Sequence, residues 1–188
     1  MIRDNGRHTT QRTRTLLLTA LVAAVVTLAA GVALADTITC PGSGYSCIGT
    51  DGPDTLNGTA GPEVMFGKGG NDTLFAKAAG DNLYGDGQAN TSLDGDDTLS
   101  GGRGVDYLTG AGGSDLLVGG AGNDVIDAKE GTSWNPGEDT VKAGKGNDTI
   151  TADDGFKDTI DCGPGKDEVT FDQGLDKVAA NCEKQHPV

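Results

Sequence analysis

Apolar residues recur along this chain with a period of nine, which is longer than the period of a single helix or strand. From residue 49 to residue 179 the sequence divides into thirteen nine-residue units, and three of them carry inserts of seven, six and one residues. The eighth position is apolar in every unit: Leu56, Met65, Leu74, Leu83, Leu99, Leu108, Leu117, Ile126, Val141, Ile150, Ile160, Val169 and Val178. Repetition at a fixed period predicts a repeat architecture.

Two further columns define the local structure of each unit. Position 6 is Asp in all units except at Glu63, and position 4 is Gly in all units except at Ala79. Glycine at the early positions predicts a tight turn, and positions 7 to 9 predict a short strand whose middle side chain points inward. Two units then complete one coil. Stacked coils give an all-β fold, a right-handed parallel β-roll of about 13 nonapeptide units.

The composition indicates that an apolar core alone would not stabilise such a fold. The chain has 188 residues, 32 of them Gly, and only 35% are hydrophobic and 4% aromatic. Ordering so much glycine is entropically costly, and the apolar ladder is thin. The formal charge of −14 disfavours nucleic acid and anionic membranes as partners and favours cations.

The first 35 residues have the pattern of a secretory signal peptide. Arg3, Arg7, Arg12 and Arg14 precede a 19-residue apolar run that ends in Ala33-Leu34-Ala35. This pattern predicts cleavage before Asp36 and a secreted, extracellular protein. An uncleaved membrane anchor is the alternative, because 19 apolar residues could span a bilayer. After cleavage we expect no association with the membrane.

The four cysteines suggest that disulfides close both ends of the repeat region. An even number of cysteines in an exported chain favours disulfides, and four cysteines allow three connectivities. We expect Cys40–Cys47 and Cys162–Cys182, because each pair is close in sequence and lies at one end of the repeats. The expected organisation is a signal peptide at 1–35, a disulfide-closed cap at 36–48, the roll at 49–179, and a C-terminal cap and tail at 180–188.

The position-6 column predicts a metal. Coils stack about 4.8 Å apart, so aspartates two units apart would repel by about 3 kcal/mol at an effective dielectric near 20. A divalent cation between coils reverses the sign of this interaction. Carboxylates and turn carbonyls are the oxygen ligands that Ca²⁺ prefers. A solvated acidic face without metal is the alternative interpretation.

The units resemble the repeats-in-toxin (RTX), or haemolysin-type, calcium-binding nonapeptide G-G-x-G-x-D-x-U-x. "GGRGVDYLT" and "GGAGNDVID" match all five fixed positions, while "AGKGNDTIT" and "CGPGKDEVT" lack only the first Gly. The resemblance implies a parallel β-roll with several Ca²⁺ ions held between turns two units apart. The implied ligands are the carboxylates and turn carbonyls of these four units: Asp106, Asp124, Asp148, Asp167, Gly101, Gly102, Arg103, Gly104, Gly119, Gly120, Ala121, Gly122, Gly144, Gly146, Gly163 and Gly165.

Alternation divides the candidate sites between two edges of the roll. The four best motifs are in even-numbered units, so we expect at least three tight sites there, between Asp106 and Asp124, Asp124 and Asp148, and Asp148 and Asp167. All three inserts fall in odd-numbered units. The sites near Asp97, Asp115 and Asp139 on this odd edge are therefore expected to be weaker or irregular, and Asp72 and Asp158 are further candidate ligands there.

Candidate catalytic residues are absent from the repeats. The two histidines, His8 and His186, lie in the leader and near the C-terminus, so no His-based triad or zinc site is expected within the roll. We expect no enzymatic activity, and a protein that folds on Ca²⁺ and acts as an extracellular structural or interaction module. Its partner could be a polysaccharide or protein of the cell surface or matrix. The alternatives are an accessory or enzyme acting on extracellular polysaccharide, and an adhesin or ice-binding roll.

Overall fold

The computed structural model describes residues 35–42, 44–87, 94–130 and 135–188. The expected signal peptide lies outside the described residues apart from Ala35, and so do most of the two long inserts. In the described ranges, no helix is long and apolar enough to cross a membrane.

Sixteen short strands in the described residues form two parallel eight-stranded sheets. Because the chain visits the two sheets alternately, odd-numbered strands build one sheet and even-numbered strands the other. The first sheet contains β1 (Asp36–Thr39), β3 (Asp54–Asn57), β5 (Thr73–Phe75), β7 (Thr98–Arg103), β9 (Leu116–Ala121), β11 (Thr140–Lys145), β13 (Thr159–Asp161) and β15 (Lys177–Val178). The second contains β2 (Ser46–Ile48), β4 (Val64–Lys68), β6 (Asn82–Asp86), β8 (Tyr107–Thr109), β10 (Val125–Asp127), β12 (Thr149–Ala152), β14 (Glu168–Phe171) and β16 (Lys184–Pro187).

Strand register follows the nine-residue columns. Position 8 pairs with position 8 two units away, as in Leu56 with Leu74 and Ile126 with Ile150. Twelve of the thirteen position-8 side chains are at most 1% exposed, and Val178 at the last unit is partly buried. The predicted ladder is therefore the core. Small residues at position 1, such as Ala76 and Ala143, are also fully buried and complete its walls.

The solenoid is longer than the repeat count predicts. Thirteen units correspond to β3–β15, but the described residues form about eight coils with sixteen strands, so the count of 13 is too low. The additional strands β1, β2 and β16 pair in register with β3, β4 and β14. The sequence before β1 and β16 is not glycine-rich, and the turn before β2 contains Gly42 and Gly44 but has Tyr45 where the motif has Asp, which is why a search for complete nonapeptides does not find these strands.

Both expected disulfides are present. Cys40 bonds to Cys47 and Cys162 bonds to Cys182, with Cα atoms 5.2 and 5.3 Å apart. The first bond crosses between the two sheets at the N-terminal coil, where Cys47 pairs with Met65 in the core column. The second bond ties the chain between β15 and β16 to the position-1 wall.

Candidate metal-binding edges

The glycine-rich turns line the two edges of the solenoid. We call the turns that lead into the second sheet the even edge and those that lead into the first sheet the odd edge. The position-6 acids of the even edge are Glu63, Asp81, Asp106, Asp124, Asp148 and Asp167; those of the odd edge are Asp54, Asp72, Asp97, Asp115, Asp139, Asp158 and Asp176. All except Asp176 are at most 3% exposed. A solvated acidic face is therefore excluded.

Each position-6 aspartate accepts a hydrogen bond from the backbone of the coil that precedes it, whereas Glu63 accepts from Thr59 of its own turn. On the even edge the backbone N–H of Asp106 donates to Oδ1 of Asp124 at 2.9 Å, and Asp124 donates to Asp148 at 2.8 Å. On the odd edge Asp97 donates to Asp115 at 2.8 Å, and the same bond recurs at Asp139 and Asp158. These bonds bring the sequence-predicted carboxylates into two continuous columns.

The columns extend beyond the repeats to two residues that the motif does not identify. The Asp36 N–H donates to Oδ1 of Asp54 at 3.0 Å, and the Asp167 N–H donates to Oε2 of Glu183 at 2.9 Å. Asp36 precedes Asp54 by 18 residues, or two units, so its spacing was a usable signal. Glu183 immediately precedes β16, as position 6 precedes a repeat strand.

The second carboxylate oxygen has no protein partner. Among the described residues, Oδ2 is buried without a hydrogen bond at ten position-6 aspartates: Asp72, Asp81, Asp97, Asp106, Asp115, Asp124, Asp139, Asp148, Asp158 and Asp167. An isolated buried carboxylate oxygen is costly unless a proton or a cation compensates it. Ten such atoms in two columns are the strongest sign of a bound cation.

The electrostatic cost shows in the pKa values of these acids. Burial raises the pKa of Asp115 to about 10, with the charges of Asp139 and Asp97 adding to the shift. Burial likewise raises the pKa of Asp97 to about 9 and that of Asp139 to about 8. On the even edge burial raises the pKa of Asp81 and Asp124 to about 6. The odd edge is thus the harder place to keep carboxylates ionised without a cation.

The turns of the even edge are regular where the motif is best. Strands β7, β9 and β11 continue into these turns, so that Gly120 pairs with both Gly102 and Gly144. These three glycines have left-handed φ values of 101°, 113° and 109°. The predicted carbonyl ligands therefore stack coil on coil, in the same alignment as the aspartates that follow them.

The N-terminal part of the even edge departs from this pattern. In "AKAAGD" the left-handed positions are taken by Lys77 and Ala79, with φ values of 81° and 87°. Residues other than glycine rarely adopt this backbone conformation, since their Cβ atom crowds the following carbonyl. This unit therefore keeps the backbone conformation of the motif at an energetic cost, which is consistent with its lack of the motif's glycines.

Carboxylates and carbonyls together suit Ca²⁺. No group of three or more His, Cys, Asp or Glu side chains in the described residues has the spacing of a preformed metal site. A site built from two aspartates and several backbone carbonyls would not contain such a group. Hard oxygen donors in a flexible arrangement are typical of calcium sites, so the residues present fit this ion.

Comparison with known families agrees with this geometry. The model of the RTX calcium-binding nonapeptide repeat matches four times, over residues 48–78, 57–92, 91–126 and 135–169. These matches cover more than half of the chain. No curated protein matches it. The coils, the two carboxylate columns and the four family matches place the chain in the RTX calcium-binding nonapeptide repeat family.

Proposed function

We propose that this protein is exported, folds on binding several Ca²⁺ ions along both edges, and acts outside the cell as a structural or interaction module without enzymatic activity. The observation that carries the proposal is the pair of buried carboxylate columns, each with a row of oxygens that lack a protein partner. Bound Ca²⁺ would supply the positive charge that these oxygens need.

The energetic argument links the ion to folding. The apolar ladder is one side chain wide in each sheet, while stacked carboxylates oppose its formation. Ligands gathered from separate coils are not assembled in an unfolded chain. The free energy of ion binding then becomes free energy of folding.

Three observations support export. RTX repeat proteins are typically exported, and the N-terminal sequence has the pattern of a signal peptide. Disulfides at both ends of the solenoid suit an oxidising compartment.

A calcium titration of residues 36–188 with intact disulfides tests the proposal. Without calcium we expect a coil-like circular dichroism spectrum and an expanded radius, and with calcium a β-sheet spectrum and exothermic binding of several ions. A chelated chain with the full β-sheet signal at low ionic strength would contradict the proposal.

The outer face of the second sheet favours an interaction role. Phe66 stacks on Tyr84 with ring centroids 5.0 Å apart, and Tyr107 follows at 6.0 Å. Ile48 and Val125 on neighbouring strands are 51% and 39% exposed. Rows of aromatic rings present flat surfaces to a polymer or protein. Tyr84→Ser in the calcium-loaded chain should weaken cosedimentation with a polysaccharide or protein ligand, while Thr151→Ser on the same face should not.

The face of the first sheet gives weaker support to the alternatives. Thr37, Thr55, Thr73 and Thr98 pair in succession, but Leu116 interrupts the row before Thr140. Threonine also suits any exposed strand position. We therefore place the ice-binding and polysaccharide-processing alternatives behind the calcium-dependent module.

A further inference from the structure

Two buried acids on the odd edge lie outside the position-6 column. Asp86 occupies position 2 of the fifth unit and Glu130 position 3 of the ninth, each just before an insert. Both are only 4% exposed. Acidic side chains are almost never so buried unless a counter-charge accompanies them.

Neither acid has a counter-charge among the described residues. Oδ2 of Asp86 accepts the Gly95 N–H at 3.1 Å, whereas Oδ1 makes no hydrogen bond of normal geometry in the described part of the chain, although the Gly112 N–H lies close enough to lower the pKa of the carboxyl group. Both carboxylate oxygens of Glu130 lack a hydrogen bond of normal geometry there, although the backbone N–H groups of Gly137 and Gly113 lie close enough to lower its raised pKa. The lysine and histidine ion pairs found in the described ranges involve other acids. Unpartnered buried oxygens at these two residues point to a ligand, as they do in the columns.

Each acid belongs to a different gap of the odd column. Asp86 follows Gly85, where an added Cβ would lie 2.1 Å from Oδ2 of Asp97. After burial, the charge of Asp86 is among the causes that raise the pKa values of both Asp97 and Asp115. Asp86 thus lies by the gap between these two aspartates.

Glu130 lies beside a separate pair of the same column, Asp139 and Asp158. Its backbone N–H donates to Oδ2 of Asp154 at 2.8 Å. Burial is the main cause of the raised pKa of Asp139, and Glu130 and Asp158 are the first charges that add to it. Because Asp154 precedes Asp158 in the same turn, this hydrogen bond places the Glu130 backbone against the coil of Asp158, beside the gap between Asp139 and Asp158.

The two edges differ in charge at the turn positions that precede the column. Every acid at position 2 or 3 belongs to an odd unit: Asp51, Asp86, Glu130, Asp153, Asp154 and Asp172. At these positions the odd units also carry Lys68 and Lys129, whereas the even units have no acid and carry Lys77, Arg103 and Lys145. The electrostatic environment therefore favours cations more strongly on the odd edge.

Charge counting shows what an extra acid does. In a column where each aspartate faces two gaps, one carboxylate is available per gap, or half the charge of a divalent cation. A second carboxylate brings the gap to neutrality, and calcium affinity rises with the charge of the ligand set. We propose that Asp86 and Glu130 are calcium ligands outside the nonapeptide motif, and that the Asp97–Asp115 and Asp139–Asp158 sites bind Ca²⁺ more tightly than the even-edge sites.

This inference rests on the proposed function and reverses the order of the edges that glycine content predicts. Three acidic side chains do not already converge at ligand distance in the described residues. Carboxylates that repel one another are expected to draw together only on the ion.

Equilibrium dialysis of Ca²⁺ against the disulfide-intact mature chain, monitored by circular dichroism, tests the inference. Asp86→Asn and Glu130→Gln remove one charge each. The matched controls, Asp96→Asn and Glu138→Gln, remove the same charge from exposed residues in the same two turns. We expect each test variant to weaken one tight site about tenfold and each control to change affinity less than about twofold. Asp86→Glu and Glu130→Asp should retain most of the affinity.

The outcomes separate the inference from the proposed function. Test variants that bind like their controls, in a chain that still folds on calcium, would overturn the inference alone. A wild-type chain that binds no calcium would overturn both. Should Asp86→Asn fail to fold at any calcium concentration, Asp86→Glu decides: near-wild-type binding supports a charged ligand, and failure of this variant too indicates a packing role and overturns the inference.

Discussion

At the residue scale, the position-6 aspartate performs two tasks with one carboxylate. Oδ1 accepts the backbone N–H of the preceding coil, as in the 2.8 Å bond from Asp124 to Asp148, and thereby fixes coil spacing. Oδ2 remains buried and unpartnered. An asparagine could still accept the backbone hydrogen bond but would bring no charge. The column of aspartates therefore couples backbone alignment to cation binding.

The raised pKa values of these buried carboxylates predict that folding stability responds to pH in opposite directions with and without calcium. The folded-state pKa values of Asp97, Asp115 and Asp139, about 9, 10 and 8, exceed the ordinary aspartate value of 3.8. Without calcium the folded chain thus holds these protons more tightly than the unfolded chain, so its stability is greatest below about pH 4 and falls as pH rises through these values. With calcium, protons compete for the ligands and acidification weakens binding.

Circular dichroism of the chelated chain between pH 7.5 and pH 4 checks this prediction. The β-sheet signal should increase as pH falls, whereas in a fixed, subsaturating calcium concentration it should decrease. An identical coil-like spectrum at both pH values without calcium would contradict the assignment of carboxylate repulsion as the main obstacle to folding.

Glycine at position 4 is required by close stacking as well as by backbone conformation. A Cβ at Gly122 would lie 1.4 Å from the carbonyl oxygen of Gly104, whereas a Cβ at Gly155 would meet nothing within 4 Å. Both have left-handed φ values. Gly155→Ala should therefore cost about 1 kcal/mol, and Gly122→Ala about 4 kcal/mol or more. Thermal unfolding in saturating calcium measures the difference, and equal costs would show that stacking at Gly122 is not tight.

The sequence predicts the columns better than it predicts the rest of the site. Positions 6 and 8 are recognisable because thirteen copies share one period. Asp86 and Glu130 were not identified, since each occurs once and beside an insert. Their burial depends on how coils stack around the insert, which a repeat motif does not describe. The acids at positions 2 and 3 of odd units were the available signal.

At the scale of the element, strands form wherever a strand of the neighbouring coil is available for backbone pairing. Asp36-Thr37-Ile38 pairs residue for residue with Asp54-Thr55-Leu56, although no glycine-rich turn precedes it. Likewise β16 pairs with β14 in the C-terminal tail. Polar–apolar–polar alternation is present in β1 but not in β16, where Gln185 pairs with the core residue Val169, so the ends of the solenoid are determined by pairing with the neighbouring coil instead of by the motif.

The disulfides should stabilise the two ends unequally. The Cys162–Cys182 bond closes a separation of 20 residues and the Cys40–Cys47 bond one of 7. Loop-closure entropy then predicts about 3 kcal/mol for the first bond and about 2 kcal/mol for the second. Paired Cys→Ser variants, compared by chemical unfolding in saturating calcium, should lose stability in that order. The reverse order would mean that contacts at the N-terminal coil, not chain entropy, determine the effect.

At the scale of the whole molecule, each coil contacts only its neighbours, so stability is nearly a sum over coils and their interfaces. The unit of addition is the coil of two nonapeptides, because backbone pairing and both carboxylate columns connect residues two units apart. Inserting or deleting a single nonapeptide would move every unit that follows it to the other edge and the other sheet. Odd and even units are not interchangeable here, since the inserts and the acids at positions 2 and 3 are confined to odd units.

Deletions of one coil and of half a coil should therefore behave differently. Removing residues 101–118 deletes units six and seven, after which β10 can pair with β6 and β11 with β7 while both columns keep their members on the original edges. We expect calcium-dependent, cooperative folding with a modest loss of stability.

Removing residues 101–109 deletes half as much chain but transfers the downstream odd units, with Glu130, to the edge opposite Asp86. This shorter deletion should lose more stability and unfold less cooperatively in saturating calcium, as measured by circular dichroism and calorimetry. Equal stability of the two variants, or greater stability of the nine-residue deletion, would show that the nonapeptide, and not the coil, is the independent unit of this solenoid.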